Sequence, residues 1–155
     1  MKRKKTLIVS LLISLGTGAL SALLTREAMD LYDMTAQPPL SPPDWVFGVV
    51  WTVLFALMGV AAWRIWEEPA SPERTGALAF YGAQLAFNFV WSLIFFNARR
   101  FGLALIWLIV LWVLILMTVR RFHRLDRTAG DLMVPYLVWV TFAVYLNAGV
   151  WYLNR

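Results

Sequence analysis

The sequence predicts an all-α membrane protein, a five-transmembrane-helix bundle, and three observations carry that prediction. Hydrophobic residues make up 61% of the 155-residue chain and charged ones only 15%, where a soluble domain has about a quarter charged. The apolar residues gather into five runs, 7–24, 46–66, 76–96, 101–119 and 132–153, of about 18–22 residues each. A run of that length crosses a hydrocarbon core of ~30 Å as a helix. The connections are short and hold nearly all the charge, so residues 1–155 read as one transmembrane domain.

The first run follows Lys2, Arg3, Lys4 and Lys5. That outline also belongs to a secretory signal, but the apolar run is longer than usual and no Ala-x-Ala cleavage site follows. It is read as a retained span. Ser10, Ser14, Gly18 and Ala22 recur every four residues, a small-residue stripe that lets helix backbones approach closely in lipid. A loop over 25–44 comes next, stiffened by Pro38-Pro39-Leu40-Ser41-Pro42-Pro43. Proline fixes φ and removes N–H donors, so this segment suits a lid better than a helix.

The second run carries Trp45 at its entry, where an amphipathic indole anchors at headgroup level. Trp51 lies roughly 9 Å deeper at 1.5 Å per residue, below that belt. Gly48, Thr52 and Ala56 repeat the small-residue packing device. The third run is two-faced. Tyr81, Gln84, Asn88, Trp91 and Ser92 share one side, and Gly76, Ala79, Ala83 and Ala86 lie nearly opposite. An amide at mid-membrane needs protein, water or a ligand beside it, so Gln84 and Asn88 read either as glue between helices or as pocket groups. The fourth run has Thr118 as its one polar side chain besides the indoles of Trp107 and Trp112, and reads as scaffold. The fifth opens on Asp131 and Pro135, then aligns Tyr136, Trp139, Ala143 and Asn147. For Trp51 and Trp139, core packing and a ligand wall both remain open.

Lys and Arg number ten in the amino-terminal tail and the second and fourth connections, against four on the other side. Positive-inside bias then puts the amino terminus in the cytoplasm and the carboxyl terminus outside. The net charge of +5 thus serves topology, and no basic patch interleaved with aromatics suggests nucleic acid. With no cysteine, disulfides, thiolate metal sites and Cys nucleophiles are excluded. All nine carboxylates lie in loops or at helix ends, and no Lys, Arg or His sits mid-span, which argues against ion-coupled transport. His123 is alone in a basic loop and reads as a solvated surface residue; no metal site and no acid–base or nucleophilic set is expected.

Several long motifs, in order on the right spans, then carry a resemblance. They are Pro42-Pro43-Asp44-Trp45-Val46-Phe47-Gly48-Val49-Val50-Trp51, Leu57-Met58-Gly59-Val60-Ala61-Ala62-Trp63 and Gln84-Leu85-Ala86-Phe87-Asn88-Phe89-Val90-Trp91-Ser92. Phe95-Phe96, the segment from Pro135-Tyr136 through Trp139 to Ala143, Leu146-Asn147 and Trp151 complete the pattern. The chain resembles the translocator protein family, also called tryptophan-rich sensory proteins or peripheral-type benzodiazepine receptors. The resemblance implies five membrane helices, commonly dimeric, with a ligand cavity under the first loop. It implies binding of tetrapyrroles such as protoporphyrin IX and of benzodiazepine and isoquinoline drugs, with cholesterol associated mainly with animal members. By motif, Tyr32, Pro42, Trp51, Asn88, Trp139 and Ala143 would line the pocket. Two departures stand out: the family's loop motif usually reads Lys-Pro-x-Trp-x-Pro-Pro, and Gln37 and Leu40 replace its Lys and Trp.

Phe47, Phe55, Trp91 and Leu146 join the six motif residues as candidate ligand contacts, a set suited to a flat, largely apolar molecule. The expected function is a membrane receptor or sensor that takes a tetrapyrrole as ligand, without a resident cofactor. The alternatives are a light-dependent porphyrin-degrading enzyme, with Trp51 and Trp139 as its catalytic pair, and a porphyrin or lipid carrier. Membrane lipid and a second copy of the chain, joined through Gly76, Ala79, Ala83 and Ala86, are the expected partners, and a bacterial cell membrane the expected location.

Overall fold

The computed structural model describes residues 2–155, and every regular element among them is helical. In order these are α1 (Lys2–Asp33), α2 (Asp44–Trp66), α3 (Pro72–Ser92), a π-helical turn (Leu93–Asn97), α4 (Phe101–Leu125) and α5 (Arg127–Asn154). Five helical stretches are long and apolar enough to cross a membrane, α3 together with its π-turn forming one. The all-α, five-span architecture therefore stands.

Most helices run past the apolar runs, α3 starting at Pro72 and α4 ending at Leu125, and two of these extensions change the reading. α1 runs through Asp33, so the connection expected over 25–44 shrinks to 34–43. A helix need not stop where its side chains turn polar: Arg26, Glu27 and Met29 are good helix formers, and no Gly or Pro intervenes before Pro38. α5 starts at Arg127, ahead of the apolar run, because the Asp126 side chain caps it by accepting the Thr128 N–H at 3.0 Å. Pro135 consequently lies inside the helix rather than near its start, where it removes one ladder donor.

The helices close into a ring. α1 packs on α2, α2 on α5, α5 on α4, α4 on α3, and α3 with its π-turn returns to α1. One half of the ring is tightly filled: Met58, Ile65, Phe122 and Met133 are fully buried there. In this half Ser10 donates its hydroxyl to the Gly59 carbonyl at 2.6 Å, and Ser14 donates to the Phe55 carbonyl. A Cβ on Gly59 would fall 3.1 Å from the Leu11 Cα, so the α1 and α2 backbones approach as closely as the small-residue stripe allows.

The polar end of this half is clasped by an ion pair and a hydrogen bond. Arg64, in the last turn of α2, donates Nε–H to Asp126 Oδ2 at 2.7 Å. Burial alone would push the Asp126 carboxyl up, but the Arg64 guanidinium and the Thr128 and Ala129 amides bring it below the ordinary carboxylate value. His123, expected to be alone, instead has Asp131 at 2.8 Å and packs its ring against Gly130, where no Cβ would fit. The i, i+8 spacing hid this contact, because it bridges the turn between α4 and α5.

Candidate functional site

In the other half α1 and α2 part, and a cavity of about 620 Å³ opens between α1, α2, α3 and α5. Its volume is within the ~300–1,000 Å³ typical of small-molecule pockets. The separation starts at Gly18, whose missing Cβ admits the Phe55 ring at 2.5 Å from where it would stand. Beyond that contact the two helices stay apart until their ends, where the Asp33 and Asp44 carboxyls meet.

Aromatic rings form most of the wall. Trp51 and Trp139 stand perpendicular with centroids 6.4 Å apart, and Phe55 lies 5.7 Å from Trp51 and Phe47 5.9 Å from Trp139. Tyr32, from the end of α1, meets Phe95 at 5.6 Å and Phe96 at 5.3 Å. These two phenylalanines belong to the π-helical turn that follows α3, and both line the cavity.

The polar groups are few and mostly committed. Asn88 donates its amide N–H to the Tyr136 hydroxyl at 2.7 Å, and that hydroxyl donates to Gln84 Oε1 at 2.7 Å. Gln84 and Tyr136 are thus glue behind the wall, whereas Asn88 is both glue and wall. The Asn88 carbonyl oxygen accepts no hydrogen bond among the described residues. Trp91 donates its indole N–H to Asn147 Oδ1 at 3.0 Å, and Ser21 pairs with Ser92 at 3.0 Å. The Trp139 indole N–H is buried with no partner among the described residues.

The lid is fastened over this half by long-range contacts. Pro38 is buried and seated on Gly149, whose absent Cβ makes the room. Asn154 donates to the Ala36 carbonyl at 2.7 Å, Tyr145 to the Pro39 carbonyl at 2.6 Å and Arg99 to Thr35 Oγ1 at 2.8 Å. The opening of the cavity is therefore sideways. Deep wall residues such as Phe55, Asn88 and Ala143 are buried, while Ala19, Ala22, Arg26, Gly48 and Thr52 on the facing flanks of α1 and α2 are exposed. The gap between these flanks faces the bilayer.

Of the sequence-named contacts, Tyr32, Phe47, Trp51, Phe55, Asn88, Trp91, Trp139, Ala143 and Leu146 share this one wall. Pro42 is not on it: Pro38 is the proline that the loop presses into the bundle. Apart from Tyr32, sequence reasoning missed the contribution of α1, where Gly18, Ser21, Thr25 and Met29 lead up to that tyrosine at three- and four-residue steps. That periodicity was the available signal, hidden by reading 25–44 as loop. Gly76, Ala79, Ala83 and Ala86 lie away from the cavity; Ala79 and Ala86 are exposed, and the Arg121 guanidinium stands 3.3 Å from where a Cβ on Gly76 would be.

Comparison with known proteins agrees with this architecture. The chain is 40% identical to a tryptophan-rich sensory protein from Cereibacter sphaeroides over 96% of its own length and 91% of that protein. It is 36% identical to a translocator protein from Bos taurus, covering 94% and 88%. A tryptophan-rich protein TspO from Chlorobaculum tepidum matches at 34% over 99% and 98%. Residues 8–153 also match the TspO/MBR family, and so a five-helix integral membrane protein with two deep tryptophans beneath a proline-rich loop belongs to that family of membrane sensors and receptors.

Proposed function

We propose that the protein is an integral-membrane receptor or sensor that binds tetrapyrroles such as protoporphyrin IX, and related flat apolar ligands, between α1, α2, α3 and α5. The observation that carries this reading is the pairing of a broad aromatic wall with two unsatisfied polar groups of opposite kind. Trp51, Trp139, Phe47 and Phe55 offer stacking faces. The free Asn88 carbonyl oxygen would accept from a pyrrole N–H, and the unpartnered Trp139 N–H would donate to a ring or side-chain oxygen. The ligand is bound, not consumed, in this reading, and no resident cofactor is involved. Titration of the detergent-solubilised protein with protoporphyrin IX should quench tryptophan emission saturably. A linear, non-saturating response would sink the proposal.

The same reading puts the amino terminus in the cytoplasm and the carboxyl terminus outside a bacterial cell membrane, supported by the ten-to-four Lys and Arg asymmetry. Carboxyl-terminal reporter fusions active only in the cytoplasm would reverse it. The chain further pairs with a second copy through Ala79, Ala83 and Ala86, with Gly76 at the margin, and surrounding lipid covers the rest. Its support is the exposure of this small-residue face and the open space over Gly82. Ala83→Leu should shift a detergent-solubilised dimer towards monomer while leaving porphyrin binding intact.

A further inference from the structure

Resting on that receptor reading, we infer that Arg26 reads a carboxylate on the edge of the ligand, so that the cavity selects flat apolar molecules that are anionic at one end. Among the described residues Arg26 is the one cationic side chain on the cavity wall. It sits on the α1 flank of the side opening, seven residues before the helix ends at Asp33, or roughly 10 Å at 1.5 Å per residue. That places it two residues past the apolar run 7–24, at the interfacial end of the span, where a guanidinium is free to take an anionic partner. No hydrogen bond or ion pair holds it among the described residues, and Asp30, one turn on, is not in ion-pair contact with it.

The rest of the wall explains why the anion would sit there. Everything deeper is aromatic, apolar or a neutral amide or hydroxyl, which rewards a neutral macrocycle and penalises a buried charge. The opposite rim, on α2, carries Asp44. Asp33 of α1 meets Asp44 where the gap ends, so a carboxylate leaving the cavity is drawn to Arg26 and repelled from that acidic end, which fixes the ligand's orientation as well as its class. Arg suits the task because its planar fork matches a carboxylate with two parallel hydrogen bonds. The lid, with Gln37 where a Lys is usual, offers no competing cation.

The experiment compares protoporphyrin IX with its dimethyl ester, which keeps the macrocycle and removes both charges. Tryptophan quenching is followed in a non-ionic detergent free of phospholipid, so that no lipid phosphate competes for Arg26. The parent protein should prefer the diacid by about three- to tenfold, the range of a partly exposed charge-assisted pair. Arg26→Gln should bind the ester unchanged and lose the preference; Arg26→Lys should keep part of it, and Asp44→Asn should enlarge it. Added salt should weaken the diacid and not the ester. Equal binding of both forms by the parent, or a preference that survives Arg26→Gln, overturns the inference while leaving the receptor reading intact. If the parent binds neither form, the receptor reading fails and this one with it.

Discussion

The two halves of the α1–α2 pair are built from the same kind of sequence and do opposite things. Below Gly18, serine hydroxyls reach carbonyls across the interface and Gly59 lets the backbones touch. Above it, equally small residues, Ala19, Ala22 and Gly48, face each other across open space. Small side chains permit close approach but do not enforce it. What differs is the Phe55 ring, which fills the notch at Gly18 and acts as the fulcrum between a closed half and an open one. A stripe of small residues is therefore an ambiguous sign, closing a helix pair in one place and leaving a door in another.

The comparison breaks most severely if the closed half is forced open. Gly59→Val would drive its new methyls into Leu11 and Ser14. Overpacking of this kind costs about 3 kcal/mol at its upper range, and the detergent-solubilised protein should show a lower Tm with porphyrin affinity falling in step. A fully retained Tm would mean that α1 is free to shift. Next in size is the amide network behind the wall. Tyr136→Phe leaves the Asn88 amide and Gln84 Oε1 unpaired in a dry core, at a cost of about 2 kcal/mol. Its Tm should fall by more than that of Tyr145→Phe, which loses only an exposed bond to the lid.

In the open half the effect should be on binding and not on stability. Ala143→Phe projects into existing space, so Tm should hold while porphyrin affinity drops about tenfold, or ~1.4 kcal/mol. A large Tm loss with unchanged binding would exchange the roles assigned to the two halves. The smallest effect concerns pH. Because the folded state holds the Asp126 carboxyl below its ordinary value, the clasp to Arg64 contributes fully above that ordinary value and is lost as pH falls through the depressed one. Arg64 is 39% exposed, and screening limits the contribution to about 0.5 kcal/mol. Acidification should lower the parent's Tm slightly more than that of Asp126→Asn.

Much of the fold was legible because lipid imposes a length and a polarity on every span. The deep aromatic positions were legible because Trp51 and Trp139 lie below the depth at which an indole serves as an anchor. The end of α1 was not, since residues 25–33 are polar enough for a loop and helical enough for a helix, and only packing of Tyr32 against Phe95 and Phe96 decides between them. The π-turn was invisible for a related reason: Leu93–Asn97 carries no Gly or Pro to mark a change of winding. The Arg64–Asp126 clasp and the ring order of helices depend on contacts between distant segments, which no local pattern encodes.

The fastening of the lid has a consequence for how the molecule is made. The groups that hold residues 36 and 39 come from residues 154 and 145, separated by 118 and 106 positions of chain. Chains are synthesised from the amino terminus at a few residues per second, about 5–20. During that interval the loop has Arg99 on Thr35 but not the α5 groups that hold its middle, while the first four helices are already entering the bilayer. The cavity is then a product of the final helix, and a chain stalled before Tyr145 would have nearly all its walls and no roof.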